Sequence, residues 1–156
     1  MVSNDILRRL RYVFDYSDLK LTEIFALADH KVSLEQLKCW LLRDDEEGYQ
    51  ELGDSDFALF LNGYVNFMRG KREGVQPPAE SRLNNNIVFV KLKIALNLKA
   101  EEILEILELA DFTLGKAELS AFFRNPSNKH YRKCNDQVLR RFLKGIQVKY
   151  RPSEQT

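Results

Sequence analysis

The sequence predicts an all-α protein, a tandem repeat of two similar four-helix units packed together or joined by a flexible linker. Three observations predict it. The chain matches itself at a shift of 82 positions, so that residues 3–69 fall on 85–151 without a gap. Apolar residues recur at helical spacing in both copies, with no competing strand pattern. Cap and turn residues interrupt these stretches at matching places.

Fourteen positions are identical under the shift, among them Asn4/Asn86, Ile24/Ile106, Asp29/Asp111, Tyr49/Tyr131, Asp54/Asp136 and Gly63/Gly145. Unrelated stretches of this length agree at roughly four. Features kept in both copies are therefore architecture, and differences between them mark where function resides.

The first helix is predicted over Asp5–Phe14, with Ile6, Leu10 and Val13 on one face; its counterpart presents Val88, Leu92 and Ala95. The second carries Leu21, Ile24, Phe25 and Ala28 at i, i+3, i+4, i+7, matched by Ile103, Ile106, Leu107 and Ala110. This stripe faces a core in both copies. The third opens at Ser33 with Gln36 three residues on, a capping-box pattern, and turns Leu37, Trp40 and Leu41 inward. In the second copy Gly115 and Glu118 hold the cap positions ahead of Leu119, Phe122 and Phe123. Asp54 and Asp136 announce the fourth helix as caps or first-turn acids. Along it Phe57, Phe60, Leu61 and Tyr64 match Leu139, Phe142, Leu143 and Ile146. Gly63 and Gly145 lie inside this helix, where glycine costs about 1 kcal/mol relative to alanine. A glycine kept there twice predicts a close helix contact; the other reading is a shorter helix with a turn at that point.

These elements divide the chain into repeat 1 over 3–69, a linker over 70–84, repeat 2 over 85–151 and a disordered tail over 152–156. Gly70, Gly74 and Pro77-Pro78 mark the linker, and one of Asn84, Asn85 and Asn86 caps the helix that follows. Within it the twelve residues 70–81 reach about 40 Å when extended, so both side-by-side and separated copies are accessible.

Composition is that of a globular protein, with 44% hydrophobic and 30% charged residues. No apolar run approaches a membrane span, and the N-terminus has no signal-peptide core. Two cysteines, Cys39 and Cys134, at positions that do not correspond, fit a reducing cytoplasm rather than a disulfide framework. The net charge of +1 hides a split: residues 1–72 carry −3 and residues 84–156 carry +5. Such halves attract each other, a second copy of the chain or an anionic partner.

The openings Asn4-Asp5-Ile6-Leu7-Arg8-Arg9-Leu10-Arg11-Tyr12 and Leu83-Asn84-Asn85-Asn86-Ile87, the stretch Glu23-Ile24-Phe25-Ala26-Leu27-Ala28, and the closing Leu139-Arg140-Arg141-Phe142-Leu143-Lys144-Gly145 carry a resemblance. They resemble the YehS-like family of small, two-copy bacterial proteins classed as a domain of unknown function. The resemblance covers nearly the whole chain. It implies a cytoplasmic bacterial protein of helical repeats, and it supplies no activity, ligand or catalytic residue.

The chemistry-bearing residues offer no familiar constellation. His30 matches Phe112 and His130 matches Gly48, so neither histidine belongs to a repeated site, and no His-x-x-x-His or Cys-x-x-Cys spacing exists. Glu101, Glu102, Glu105 and Glu108 lack the histidine partners of a bundle metal site and read as a solvated face. Cys134 has His130, Arg132 and Lys133 nearby in sequence, which would activate an exposed thiol; its counterpart is Leu52, which favours a buried, inert one. No cofactor is expected, and the chain is not expected to be an enzyme.

The second and third helices of each copy have the layout of a helix-turn-helix. The would-be reading helices are not basic, offering Glu35, Gln36, Lys38 and Arg43 in one copy and Lys116, Glu118, Ser120 and Arg124 in the other.

Two differences between copies point to surfaces. The loop before the fourth helix is acidic in copy one, at Asp44, Asp45, Glu46, Glu47 and Glu51, and basic in copy two, at Lys129, His130, Arg132 and Lys133, around the retained Tyr49/Tyr131 pair. Two readings stand: complementary docking, or two solvated loops that drifted apart. The fourth helix has Leu59, Val65 and Phe67 in copy one where copy two has Arg141, Gln147 and Lys149. Leu59, Val65 and Phe67 thus form a candidate apolar interface, between copies, between chains or for a partner; the other reading places them in the core of the chain itself. Lys129, His130, Tyr131, Arg132, Lys133, Arg140, Arg141, Lys144 and Lys149 form a candidate patch for an anionic partner. The expected function is a non-catalytic adaptor or regulatory interaction protein with a protein partner or self-association and no membrane contact. The alternative is nucleic-acid binding through the basic second repeat or the helix-turn-helix-like pairs.

Overall fold

Eight helices and no strand form among residues 1–71 and 73–152, which the computed structural model describes. Copy one holds α1 (Ser3–Phe14), α2 (Asp18–Ala26), α3 (Leu34–Leu41) and α4 (Asp54–Arg69). Copy two holds α5 (Asn85–Ala95), α6 (Ala100–Leu109), α7 (Lys116–Phe122) and α8 (Asp136–Tyr150). The described residues between α4 and α5 form no helix, and Pro152 follows α8 outside it. Linker residue Arg72, and residues 153–156 of the tail expected to be disordered, lie outside the described residues.

The apolar stripes all turn inward. Ile6, Leu10, Val13, Leu21, Ile24, Phe25 and their counterparts Val88, Leu92, Ala95, Ile103, Ile106 and Leu107 are buried in one continuous core. Helix ends follow local chemistry and repeat between copies. Asp15 and Asn97 leave α1 and α5 in the left-handed conformation, and Asp29 and Asp111 do so after α2 and α6. Short polar side chains tolerate that conformation, and each turn closes with a bond back five residues, as from Tyr16 to Arg11 and from Leu98 to Lys93. The identity of Asp29 with Asp111 is thereby explained.

The expected caps hold with corrections. Ser33 accepts from the Gln36 amide, while the Gln36 side chain turns to Gln50 instead of closing a box. Copy two keeps the other half, Glu118 accepting from the Gly115 amide. Asn84 caps α5. Gly53 and Asn135, not Asp54 and Asp136, precede the fourth helices; the aspartates sit in the first turn. The first helix begins at Ser3 rather than Asp5, because the Val2 carbonyl accepts from the amides of Asp5 and Ile6.

Gly63 and Gly145 mark where α4 crosses α2 and α8 crosses α6. A Cβ at Gly63 would lie 2.0 Å from the Ile24 carbonyl oxygen, and one at Gly145 would lie 2.0 Å from that of Ile106. The helices approach that closely only because this position has no side chain.

The two copies pack together about an approximate two-fold relation. The fourth helix of each copy meets the first helix of the other, α4 against α5 and α8 against α1, as in an isologous dimer. The same relation holds in detail. The Leu83 amide donates to Asp54, and the N-terminal ammonium of Met1, the residue matching Leu83, donates to Asp136 at 2.9 Å. The first-turn aspartates therefore join one copy to the other. The relation is broken in one respect: α4 and α5 are in more extensive contact than α8 and α1. Ala58 on α4 is fully buried, whereas the matching position on α8 is Arg140, which is exposed.

Candidate functional site

The loop that differs in charge between copies has one backbone conformation in both. Turn bonds run from Glu46 to Arg43, Tyr49 to Glu46 and Gln50 to Cys39 in copy one. They run from Asn128 to Asn125, Tyr131 to Asn128 and Arg132 to Ala121 in copy two. A buried asparagine clamps each. Asn4 donates to the carbonyls of Trp40 and Gln50 and accepts from the Leu52 amide, each at 2.9 Å. Asn86 donates to Phe122 and Arg132 and accepts from Cys134, at 2.8–3.0 Å. An amide side chain satisfies both a donor and two acceptors here, which accounts for the Asn4/Asn86 identity. The same bonds thus hold this loop's backbone in both copies, while its outward side chains differ.

In copy one Asp44, Asp45, Glu46, Glu47 and Glu51 are exposed. Glu46 accepts from the Arg43 amide. Partial desolvation of Tyr49, with the carboxylates of Glu51, Asp44 and Asp5 around it, raises its phenol above the ordinary tyrosine range. Among the described residues no ion pair links this loop to the basic loop of copy two.

The basic residues of copy two do not form one patch; they divide among separate places. His130, Arg132 and Lys133 join Arg124 on the rim of a groove of about 640 Å³ between α7 and the start of α8, floored by Phe112, Leu114, Ala121, Phe122 and Val138. Tyr131 faces a neighbouring depression with Asn86, Phe123 and Pro126. Arg140, Arg141 and Lys144 line a depression at α1 together with Arg9 and Gln137. The Lys149 ammonium lies 5.3 Å from the Tyr150 ring, and Lys129 is exposed.

The groove has a counterpart in copy one, of about 470 Å³, lined by His30, Val32, Gln36, Trp40 and Asp56. There His30 and Asp56 meet across it at 2.9 Å. At the matching positions copy two has Phe112 and Val138, which cannot pair, so its groove is open, apolar below and cationic at the rim. Glu118, also on its wall, is turned to the Gly115 amide. Sequence reasoning did not single out Arg9, Phe112 or Val138 as site residues, and named Arg124 only on the would-be reading helix. The signal available was the alignment of the copies, where Phe112 and Val138 jointly replace a histidine–aspartate pair and Lys91 keeps a cation opposite Arg9.

Leu59, Val65 and Phe67 are all half-buried. Phe67 packs edge-on to Tyr16 at 5.9 Å and beside Tyr64, with the Lys20 ammonium over its ring. It belongs to an aromatic cluster at the ends of α1, α4 and α8 that also takes in Phe14 and Tyr150. Burial, with Tyr16 at hydrogen-bond distance, pushes the Tyr64 phenol far up. Arg151 closes this end, its guanidinium stacked 4.2 Å from the Tyr12 ring. Phe67 is therefore engaged within the chain.

The remaining chemistry-bearing residues are placed as follows. Burial pushes the Cys134 thiol up to about 12, against the activation its cationic neighbours in sequence would have given. Glu102 caps the Lys99 amide and Glu101 pairs with Lys116. In the helix-turn-helix-like pairs, α3 and α7 are only eight and seven residues long. Among the described residues no helix is long and apolar enough to cross a membrane.

The family described as "Protein of unknown function (DUF1456)" matches the chain twice, at residues 3–70 and 85–151. The chain is also 44% identical over 149 residues to "Uncharacterized protein YehS" of Escherichia coli (strain K12), an alignment covering 94% of each. No solved structure matches it.

Proposed function

Taking as premise that the chain belongs to the DUF1456 family, a two-copy family of unknown function, we propose that it is a non-catalytic adaptor or regulator acting in the cytoplasm. The groove of copy two is its docking surface, and its partner is an acidic protein segment that carries an apolar side chain. One observation carries this reading: the same groove exists twice and is bridged by His30–Asp56 in copy one but open in copy two. The open groove combines an apolar floor with the cations of Arg124, His130, Arg132 and Lys133. Apolar floor and charged rim are the two parts of a protein-recognition surface, one giving affinity and the other orientation and rate. The non-catalytic part draws support from Cys134, whose thiol is buried and hard to ionise.

Affinity purification from native cells, with both protein and nucleic acid identified, tests it. The wild-type chain should retain an acidic protein, and a variant carrying Arg132→Glu and Lys133→Glu should lose it while keeping its helical circular dichroism. Retention of nucleic acid instead, with a salt slope that the double variant flattens, would install the alternative reading. Retention of the same protein by wild type and variant alike would remove the groove from the account.

A further inference from the structure

A second depression, away from this groove, points to a ligand of different chemistry. It lies where α8 meets α1, has a volume of about 440 Å³, and is lined by Arg9, Gln137, Arg140, Arg141 and Lys144. Gln137, Arg140, Arg141 and Lys144 follow i, i+3, i+4, i+7 spacing and so share one face of α8. Arg9 comes from the other copy. Four cations therefore converge from two sides on one cavity whose size is that of a small-molecule site.

Among the described residues no carboxylate lines the depression. Arg9 Nη1 is sealed from solvent and has no hydrogen-bond partner. Desolvation lowers the Arg9 pKa, only partly offset by Asp5, which itself pairs with Arg8. The other carboxylate within reach, Asp136, holds the Met1 ammonium and the Asn85 amide, with Arg140 a weaker influence. Arg141 spends one nitrogen on the Ala110 carbonyl at 2.9 Å. An unpaired, half-buried guanidinium is costly, and an anion in the depression that Arg9 lines lowers that cost.

The two-fold relation supplies the comparison. At the equivalent place on α4 stand Ser55, Ala58, Leu59 and Asn62, and opposite them stands Lys91. Lys91 donates to Asn62 and pairs with the carboxylate of Glu80. One site is thus filled by a carboxylate of the chain itself. The other has three cations where the first has neutral residues, its helices are in less extensive contact, and no carboxylate among the described residues lines it.

We propose that the α1–α8 depression binds a small phosphate-bearing ligand through a diphosphate group. Guanidinium forks match phosphoryl oxygens in pairs, and two phosphoryl groups offer acceptors enough for three arginines and a lysine. The cations come from two helices onto one depression of about 440 Å³, a size that favours a compact polyanion over a nucleic-acid backbone. This inference stands apart from the groove reading, since no residue is shared between the two sites.

Titration calorimetry with sodium diphosphate, orthophosphate and sulfate at matched ionic strength tests it, with a single-stranded oligonucleotide as a further arm. Diphosphate should bind saturably and more tightly than orthophosphate or sulfate. Arg9→Gln and the exposed Lys144→Gln should each weaken it by about tenfold or more, the worth of one charge-assisted hydrogen bond, and Lys129→Gln should leave it unchanged. Arg9→Gln should also raise the ligand-free melting temperature, a gain that loss of a structural contact would not produce. Absence of saturable diphosphate binding, or binding that Lys144→Gln leaves intact, would overturn the site. Tighter binding of the oligonucleotide, lost with the same substitutions, would replace the small ligand with nucleic acid.

Discussion

Gly63→Ala is the substitution whose sign decides whether the repeated glycine is there for packing. In an isolated helix the change stabilises by about 1 kcal/mol, because alanine restricts the unfolded chain and favours the helix. Here the new Cβ would sit 2.0 Å from the Ile24 carbonyl oxygen, where ordinary contact begins at 3.4 Å. That oxygen belongs to the α2 backbone and cannot rotate away as a side chain would. Relief requires α4 to withdraw by more than about 1 Å from α2, in a core packed too densely to absorb it. The withdrawal would part Phe25 from Phe60, whose rings lie 5.2 Å apart. Overpacking of this kind costs about 3 kcal/mol at the upper end of its usual range. Set against the propensity gain, the net loss is about 2 kcal/mol. Urea unfolding followed by circular dichroism should show a lower midpoint at unchanged slope. Gly145→Ala should behave alike, since Ile106 presents both its carbonyl oxygen and a side-chain carbon at 2.7 Å. An alanine variant as stable as the wild type at either position would refute the reasoning.

Two further outcomes are expected. Asn86→Ala leaves the Cys134 amide without its acceptor and two carbonyls without a donor, so it should cost about 1–3 kcal/mol and speed hydrogen exchange at the Cys134 amide; unchanged exchange there would show that the loop is held otherwise. The Asn85 amide and the N-terminal ammonium hold the Asp136 carboxyl below the ordinary aspartate range, so the ionised form favours the folded chain. That contribution is in place above the ordinary range and is lost as pH falls through the lowered value, so Asp136→Asn should flatten the acid limb of a stability–pH profile below about pH 4. An identical acid limb in the variant would place the acid sensitivity elsewhere.

The candidate surfaces were legible only in part. Charge reversal around Tyr49 and Tyr131 pointed to the loop, because comparison of two copies on one scaffold separates what the fold requires from what varies. The run of cations in copy two looked like one patch because sequence order is its only measure of distance. On a helix and a tight double turn, neighbours in sequence point in different directions, so Tyr131 and Arg132 face different depressions. Arg9 was invisible as a site residue for the same reason: it lies 131 positions from Arg140 yet lines the same cavity.

Periodicity, caps and the 82-residue shift were enough to establish an all-helical chain of two like units and to mark its core, because helix formation and apolar burial depend on local spacing. The close approach at Gly63 and Gly145 was also indicated there, since contact is one of two explanations for a residue that weakens its own helix twice, the other being a helix that ends there. Which helices of one unit meet those of the other was decided by tertiary packing alone. So was the asymmetry that matters for binding: Ala58 is buried where α4 meets α5, while Arg140 stands exposed and lines a depression where α8 meets α1. A side chain's volume and charge act on whatever the fold sets opposite it, and that neighbour has no fixed address along the chain.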